Sequence, residues 1–500
     1  MKDKCGRPTA CPEPVQGARV WDVGSSDLAI AFEMLSERVE FRGYSKTIPR
    51  RRLHESNRSR STLLLLTAAP ILAQDIPAYV NNELPGLVET YKGIHEHPEL
   101  SHHEEHTSAL LAEELRKAGY SVTEHVGKYP DGSQAYGVVG ILKNGDGPTL
   151  LIRTDLDALP IVEETGVSYA SHVKTKNAAG QEVGVMHACG HDIHVANMIG
   201  TARALAAMKS QWHGTLMLIG QPSEETIDGA KAMLADHLYE RFGTPDIAIA
   251  LHDSNSLAAG QVAVASGPAM ASSTSVDVTM RGIGGHGAAP QLGKDPIVMA
   301  AEFIVQLQTI VSRQEDPLDP AVVTVGDIHG GTKRNIIPYD VKMELTTRAF
   351  SDHGRQVVVD GIKRTAQGVA LSAGAPEDRA PIVNVLDDES TPVLYNNPAL
   401  AARVKAGLVQ ALGPTNVFDS PRIMASEDFG IFGLDGRKIP TVMFWLGAMD
   451  PAKLVAAQAA GTSLPGPRTS RFEPVPEPTL RTGVTAMTSV AIALLQKPAQ

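Results

Sequence analysis

The sequence is organised around a nonapeptide that carries three histidines, a cysteine and an aspartate: Met186-His187-Ala188-Cys189-Gly190-His191-Asp192-Ile193-His194. Imidazole and thiolate side chains suit borderline-soft divalent metals. The i, i+2, i+4 spacing of His187, Cys189 and His191 favours a looping backbone, because residues i and i+2 of a helix do not face each other. A helical pattern begins near Asp192, so we expect a metal-binding loop at a helix start. The alternative is a hydrogen-bonded group of core histidines with one inert buried cysteine.

Length and composition indicate a globular enzyme-sized chain. Its 500 residues exceed one ordinary core, so two domains are expected. Hydrophobic residues make up 43% and charged residues 20%, which is typical of globular proteins. The net charge is -11 and there is no basic stripe, so no nucleic-acid partner is expected.

Residues 1–74 are predicted to be a leader that carries a signal peptide. A basic region at 50–60 precedes a short apolar run at 63–73, which is the order found in secretory signals. The run is too short to span a bilayer as a mature helix. We expect cleavage after Ala73, a start codon downstream of Met1 such as Met34, and an exported protein, periplasmic or secreted, without a stable membrane span. The alternative is a disordered basic tail that stays attached.

The cysteines agree with export. Cys5 and Cys11 lie in the leader, so the mature chain keeps only Cys189 and cannot form an intrachain disulfide. Metal ligation would give this lone thiol a purpose.

The predicted fold class is α/β, with a mostly parallel sheet covered by helices on both faces. Apolar runs without alternation, at 149–154, 215–219, 246–251 and 441–446, are separated by helical patterns. They assign 75–269 and 387–500 to one catalytic domain. Residues 451–478 are rich in Ala, Gly and Pro and are predicted to form a long loop near the site.

A second domain at 270–386 is predicted to be inserted into the first. Strand patterns at 275–281, 322–326, 341–348 and 381–385 alternate with helical patterns at 295–311 and 354–371. The resulting βαββαβ order is that of a ferredoxin-like α+β unit.

Three strands of the first domain end in polar residues that suit a metal site: Asp155-Leu156-Asp157, Glu224-Glu225 and His252. Ligands bind beyond the carboxyl ends of strands in open α/β sheets. A metal lowers the pKa of bound water to about 7, and one carboxylate of a pair can bind the metal while the other takes the proton. Asp155 or Asp157 could accept the second N–H of a ligating histidine. The alternatives are a solvated acidic turn for the pair and turn caps for the aspartates.

The inserted domain carries further candidates. Glycines flank His286 and allow close approach to a ligand. Asn335 and Arg348 offer amide and guanidinium donors, and Arg348 could bind a substrate carboxylate bidentately. A turn histidine without function and a surface arginine on an edge strand are the alternatives.

The chain resembles the dinuclear-metal aminoacylase and carboxypeptidase superfamily. Within it, the chain is most similar to the amidohydrolase branch of hippurate hydrolase, auxin-amino acid conjugate hydrolases and N-acyl amino acid amidohydrolases. The matching stretches keep the family order: 97–101, 153–160, 187–194, 221–230, 251–252, 282–290, 335–338 and 426–429.

The resemblance implies a role for each matched residue. It implies metal ligation by Cys189, His191, Glu225 and His252. Glu224 would be the general base and acid.

Other roles fall to the inserted domain, which would be the lid and dimerisation domain of a homodimer. His286 would stabilise the oxyanion in the partner subunit's site. Asn335 and Arg348 would lie near the substrate carboxylate.

One position departs from the family. Where a last histidine ligand is expected, the chain has Arg468 within Leu464-Pro465-Gly466-Pro467-Arg468. A guanidinium cannot ligate a metal. Arg468 could weaken one metal position, replace the charge of a cation or bind a substrate carboxylate.

We therefore predict a metal-dependent amidohydrolase that acts on N-acyl amino acids or small dipeptide-like substrates through metal-activated water and a Glu base. Each subunit would hold one or two divalent ions, with Mn, Zn, Ni and Co all open. The alternatives are a non-catalytic carboxylate-binding dimer with a degraded metal site, and a hydrolase with Cys189 as nucleophile.

Overall fold

The structure is a computed structural model that describes residues 75–176, 180–434 and 437–496. The predicted leader at 1–74 lies outside the described residues. No helix in the described ranges is both long enough and apolar enough to cross a bilayer.

The first part of the chain alternates helices and strands. In chain order its elements are α1 (Ile76–Glu96), α2 (Glu105–Lys117), β1 (Ser121–Lys128), β2 (Gln134–Asn144), β3 (Thr149–Asp155), β4 (Lys174–Lys176), β5 (Glu182–Gly184), α3 (His191–Ala207), β6 (Gly214–Gln221), α4 (Gly229–Ala235), α5 (Leu238–Phe242), β7 (Ile247–Ala258), β8 (Val262–Val264) and β9 (Gly267–Met270).

The remainder begins with a second α/β pattern and returns to the first. Its elements are β10 (Ser272–Arg281), β11 (Gly285–His286), α6 (Pro296–Arg313), β12 (Ala321–Gly330), β13 (Ile336–Ile337), β14 (Asp340–Ala349), α7 (Asp352–Ser372), β15 (Ile382–Thr391), β16 (Leu394–Asn396), α8 (Pro398–Leu412), β17 (Val417–Asp419), β18 (Thr441–Met449), α9 (Pro451–Ala459) and α10 (Pro476–Leu495).

Within the described residues, the larger sheet has eight strands in the order β1-β2-β6-β3-β7-β18-β8-β17. Its centre, β6-β3-β7-β18, is parallel. Strands β1 and β2 join one side antiparallel, and β8 is antiparallel to β18. Every residue of β18 is buried, as expected for a strand covered on both faces.

Helices cover both faces of this sheet. One face packs on α1, α2, α3, α8 and α10, with Leu87, Ile199 and Val484 in the shared core. The other face packs on α4 and α5, with Met233 and Leu238 in its core. Helix α3 is buried nearly all round, so it forms the centre of the thicker layer. The predicted α/β class is confirmed.

The second sheet is antiparallel, in the order β12-β14-β10-β15. Helices α6 and α7 cover one face through Phe303 and Ile362, which pack against Val276 and Met343. This is the βαββαβ arrangement predicted from the sequence. Its last strand runs to Thr391, five residues beyond the predicted domain boundary at 386.

Three local predictions were wrong or incomplete. The stretch 451–478 begins with α9 rather than loop, because Asp450 accepts hydrogen bonds from two N–H groups and Pro451 occupies the first turn. Strand β1 was missed, since a bulge interrupts its pattern. Strand β7 continues past His252 to Ala258, because its polar second half pairs with β18.

Candidate functional site

A tight turn positions the cysteine and the first histidine of the nonapeptide. Helix α3 begins at His191, and the preceding Gly190 has a φ of +78°. A Cβ at Gly190 would lie 2.4 Å from Oδ2 of Asp253, so the backbone needs glycine both for its conformation and for space. The turn places Cys189 and His191 side by side at the end of the sheet.

Three of the predicted ligands come together as one buried group. Cys189, His191 and His252, hereafter the thiol-imidazole group, offer ligand atoms that all lie within 4.8 Å of one another. Sγ of Cys189 is 3.6 Å from Nε2 of His252. Strand β7 supplies His252 at the level of Asp155, because Arg153 pairs with Ala250 in the neighbouring strand.

Both histidines of this group direct Nε2 towards the site. Nδ1 of His191 donates to the carbonyl oxygen of Asp157, and Nδ1 of His252 donates to that of Asp253, each at 2.8 Å. A carbonyl only accepts, so Nδ1 carries the hydrogen and Nε2 keeps its lone pair. Nε2 of His191 is buried without a hydrogen-bond partner among the described residues. An orphaned imidazole nitrogen beside a thiol and a second imidazole fits a borderline-soft divalent ion.

The carboxylate pair lies on the other side of His191. His191, Glu224 and Glu225, hereafter the carboxylate group, also have ligand atoms within 4.8 Å. The N–H of Glu225 donates to Oδ2 of Asp157 at 2.9 Å, which fixes the turn after β6. Burial, followed by the charges of Glu427 and Glu225, raises the pKa of Glu224 well above its usual range. A carboxylate with a raised pKa suits proton transfer near neutral pH.

The two aspartates after β3 support the ligands in different ways. Oδ1 of Asp155 lies 2.6 Å from Nδ1 of His194, and its Oδ2 lies 3.6 Å from Nε2 of His191. The backbone carbonyl oxygen of Asp157 accepts a hydrogen bond from Nδ1 of His191, and Oδ1 of Asp157 lies 3.3 Å from that nitrogen. The closest acceptor for the ligating histidine is therefore a main-chain oxygen rather than a carboxylate.

Arg468 reaches the carboxylate group from the loop after α9. Its Nη2 lies 2.6 Å from Oε2 of Glu225 and 4.0 Å from Oε2 of Glu224. Its backbone N–H donates to the carbonyl of Ala188 at 2.7 Å, and its φ is +67°. Arg468, which stands where the family pattern has a last histidine ligand, thus contacts Glu225, one of the predicted ligands.

The lid candidates divide into near and remote residues. Arg348 donates to the hydroxyls of Ser273 and Thr346 at 2.7 and 2.6 Å, and burial followed by the charge of Arg468 lowers its pKa. His286 and Asn335 are exposed on and beside the short β11–β13 ladder. Within the described ranges, no hydrogen bond or ion pair joins either residue to the thiol-imidazole group or the carboxylate group.

A cluster of buried charges beside the site was not predicted from the sequence. The fully buried Arg153 donates to four side chains, forming what we call the Arg153 cluster: Gln221 (2.8 Å), Asp155 (2.8 Å), Glu427 (2.8 Å) and Asp428 (3.1 Å). In the sequence, the cluster is indicated only by Arg153, a basic residue inside the apolar run 149–154. The cluster ties β3 and β6 to the turn that follows β17.

A second buried network holds the start of α3. His95 lies 2.6 Å from Asp192 and 3.1 Å from Glu163. Burial lowers the pKa of His95, but these two partners outweigh it and raise the pKa to about 10. The residue after the ligand His191 is thereby fixed by an ion pair.

A cavity of about 510 Å³ opens beside the ligands. Its polar wall contains Cys189, Glu224, His252 and Arg468. Its apolar wall contains Met270, Phe418, Ile423 and Trp445. The volume is in the range of small-molecule sites, and the mixture of walls is typical of them.

Comparisons with known proteins agree with this site. The model of peptidase family M20/M25/M40 matches residues 151–460. The chain is 36% identical over 341 residues to hippurate hydrolase of Campylobacter jejuni, covering 68% of this chain and 82% of that protein. It is 35% identical over 370 residues to thermostable carboxypeptidase 2 of Saccharolobus solfataricus, covering 73% of this chain and 87% of that protein.

Among solved structures, the chain resembles the Bacillus subtilis YXEP protein, a dinuclear metal-binding peptidase from the M20 family. The TM-score is 0.64 at 27% sequence identity, and the match covers 84% of this chain and 99% of that one.

Proposed function

The chain belongs to peptidase family M20/M25/M40, and from this membership we propose that it hydrolyses the amide bond of N-acyl amino acids or small dipeptide-like substrates. The predicted family and the predicted class of metal-dependent amide hydrolase are confirmed. The non-catalytic alternative is not favoured, because the relatives are named as hydrolases and carboxypeptidases.

The observation that carries the proposal is the convergence of three ligand atoms and a raised-pKa carboxylate on one cavity. The thiol-imidazole group offers Sγ and two Nε2 atoms within 4.8 Å. Glu224 lines the same cavity as Cys189 and His252. The metal ligands and the base therefore line the same cavity, which is where a substrate would bind.

The chain's own residues would divide the work as follows. The thiol-imidazole group, with Glu225 as its neighbouring carboxylate, would hold a divalent ion, which would activate a water and polarise the scissile carbonyl. Glu224 takes the proton from the attacking water and passes it to the leaving amine. Asp157 and Asp253 hold the two ligating imidazoles in the correct tautomer through their carbonyl oxygens.

The types of ligand atom limit which metal ions the site would prefer. A thiolate with two imidazoles suits Zn, Co or Ni better than Mg or Ca, whose preferred ligands are oxygens. A carboxylate oxygen of the neighbouring Glu225 would also suit Mn.

The cavity walls suggest how a substrate lies. The apolar wall at Met270, Phe418 and Trp445 would hold the acyl group. Arg348, whose charge interacts with that of Arg468, would bind the substrate carboxylate. Asn335 is exposed beside the β11–β13 ladder, like His286, and would reach the substrate carboxylate from the partner subunit. The partner subunit's His286 would stabilise the oxyanion, since His286 is exposed and makes no contact with the site of its own chain within the described ranges.

A homodimer through the lid is part of the proposal. Strand β12 is an edge of the smaller sheet, and it leaves Ile328 50% exposed. Val298 and Val305 on α6 are 53% and 70% exposed. An exposed strand edge beside an apolar helix face is suited to pairing with a second copy. Light scattering should give twice the subunit mass, and V305E should reduce it while L371E, on α7, should not.

Export of the chain through its leader also remains a proposal. The basic region at 50–60 followed by the apolar run at 63–73 supports it. N-terminal sequencing of the protein from its producing cells should find a start near residue 74, and an intact 1–74 segment would contradict export.

The activity is tested with the full chain and a panel of N-acyl amino acids, measuring released amine with Zn, Mn, Co or Ni. We expect hydrolysis that a chelator abolishes and added metal restores. H252A should lose activity, whereas H106A, an exposed histidine on α2, should not. Activity that survives chelation but is lost on thiol alkylation would instead support Cys189 as nucleophile, and no release from any panel member would refute the proposal.

A further inference from the structure

We propose that Arg468 stands in for a second metal ion, so that each subunit holds one divalent ion, bound by the thiol-imidazole group. The inference rests on the proposed function, since it takes Cys189, His191 and His252 as the metal site. It goes further by assigning the guanidinium as a fixed cation beside Glu225.

The thiol-imidazole group and the carboxylate group share His191, whose Nε2 lies 3.9 Å from Oε2 of Glu224. Nδ1 of His191 is bonded to the carbonyl of Asp157, so Nε2 carries the only available lone pair of that ring. One lone pair binds one ion. Once it serves the thiol-imidazole group, the carboxylate group retains only Glu224 and Glu225, and Glu224 is the proposed base.

The remaining carboxylate already has a cation. Nη2 of Arg468 lies 2.6 Å from Oε2 of Glu225, so the two side chains form a direct ion pair. The guanidinium is positively charged and has no acceptor, so it repels a cation and cannot ligate one. It lies at Oε2 of Glu225, so a second ion that binds this oxygen would have to displace it.

The backbone holds Arg468 in this position. Its φ of +67° is in the left-handed region, which costs free energy for a residue with a side chain. The bond from its N–H to the carbonyl of Ala188 ties it to the residue before Cys189. A strained residue tied to the ligand loop is expected where its side chain has a function.

Among the other candidate groups in the described residues, His194 and the pair of Glu427 and Asp428 already have internal partners. His194 uses Nδ1 with Asp155 at 2.6 Å, and its Nε2 accepts the N–H of Asp253 at 3.0 Å. Glu427 and Asp428 bond the guanidinium of the Arg153 cluster. Neither set offers a free place for a second ion near the cavity.

The test counts bound ions. The metal-free full chain is titrated with Co(II), and thiolate–cobalt absorption is followed while total bound metal is measured by mass spectrometry after dialysis; Zn is counted in the same way. We expect one equivalent for the wild type and for R468Q, and two for R468H, because the new imidazole adds a ligand beside Glu225. R471H is the matched control, since Arg471 lies on the same loop with a 69% exposed side chain, and one equivalent is expected.

Two equivalents in the wild type, with amide hydrolysis intact, would overturn the inference and leave the proposed function standing. A single equivalent in R468H, shown by circular dichroism to be folded, would also overturn it. No bound metal in the wild type would instead refute the proposed metal site itself. The wild-type count decides the matter even if R468H does not fold.

Discussion

Replacing Arg153 by methionine is expected to destabilise the catalytic sheet by about 3–5 kcal/mol, the usual cost of removing one member of a buried charge cluster. Methionine is apolar and flexible enough to fill the space. It leaves Asp155, Glu427 and Asp428 without the guanidinium that now lies 2.8–3.1 Å from each. The loss is a large part of the 5–15 kcal/mol typical of a folded domain.

The pH dependence of this loss is fixed by the buried carboxyl groups. Burial raises the pKa of Asp428 to about 8, against the lowering effect of Arg153. Because the pKa of Asp428 is higher in the folded protein than in the unfolded chain, this carboxyl group stabilises the fold fully below about pH 4. That contribution is lost as the pH rises through 8. Removing Arg153 raises that pKa further, so the difference between wild type and R153M should be larger at pH 8 than at pH 5.

Urea unfolding followed by tryptophan fluorescence measures the effect, because Trp212 and Trp445 are both buried in the catalytic part of the fold. R203M is the control, since Arg203 pairs with Glu83 and Glu114 at a site where its side chain is 27% exposed. Ion pairs that are partly open to solvent, like the pair of Arg203 with Glu83, contribute about 1 kcal/mol or less. An R153M variant no less stable than R203M, or a loss of stability that is larger at pH 5 than at pH 8, would show that Arg153 does not neutralise these buried carboxylates.

Two further predictions concern the start of α3. G190A should weaken metal binding in equilibrium dialysis, because its Cβ would lie 2.4 Å from Oδ2 of Asp253. The control is G145A, which has a similar φ but open space around it and should lose only about 1–2 kcal/mol of stability. Equal metal affinities of the two variants would contradict this prediction. H95Q should be less stable than wild type by on the order of 4 kcal/mol at pH 6. Since the pKa of His95 is raised to about 10 in the fold, that difference should be present below pH 6.5 and shrink as the pH rises towards 10 in urea unfolding, and a constant difference would contradict it.

The main sheet was predictable because its central strands are short apolar runs without alternation. The ligand-rich strand ends were predictable because carboxyl ends of parallel strands meet at one edge. His252 shows the limit of this rule, since it lies midway along β7 and still reaches the site. The extension of β7 depends on pairing with β18, about 190 residues away in sequence, and local composition does not reveal it.

The partners that buried charged residues find in the folded protein could not be predicted from the sequence either. Arg153 stood out in its strand, but Glu427 and Asp428 lie more than 270 positions along the chain. Helix α9 was missed because Ala- and Pro-rich composition fits both loops and capped helices, and the cap at Asp450 decided between them. Arg468 was identified by its place in a motif, whereas its contact with Glu225 required the structure.

Glu224 is proposed to act as the base beside a metal that other side chains hold. Substituting Glu224→Gln keeps the shape of the side chain and removes its basic oxygen, so kcat for N-acyl amino acid hydrolysis should fall by about 10²–10⁴-fold. Bound metal in the same preparation should equal that of the wild type, because the thiol-imidazole group is intact. An E224Q enzyme with full metal content and wild-type kcat would show that Glu224 is not the base.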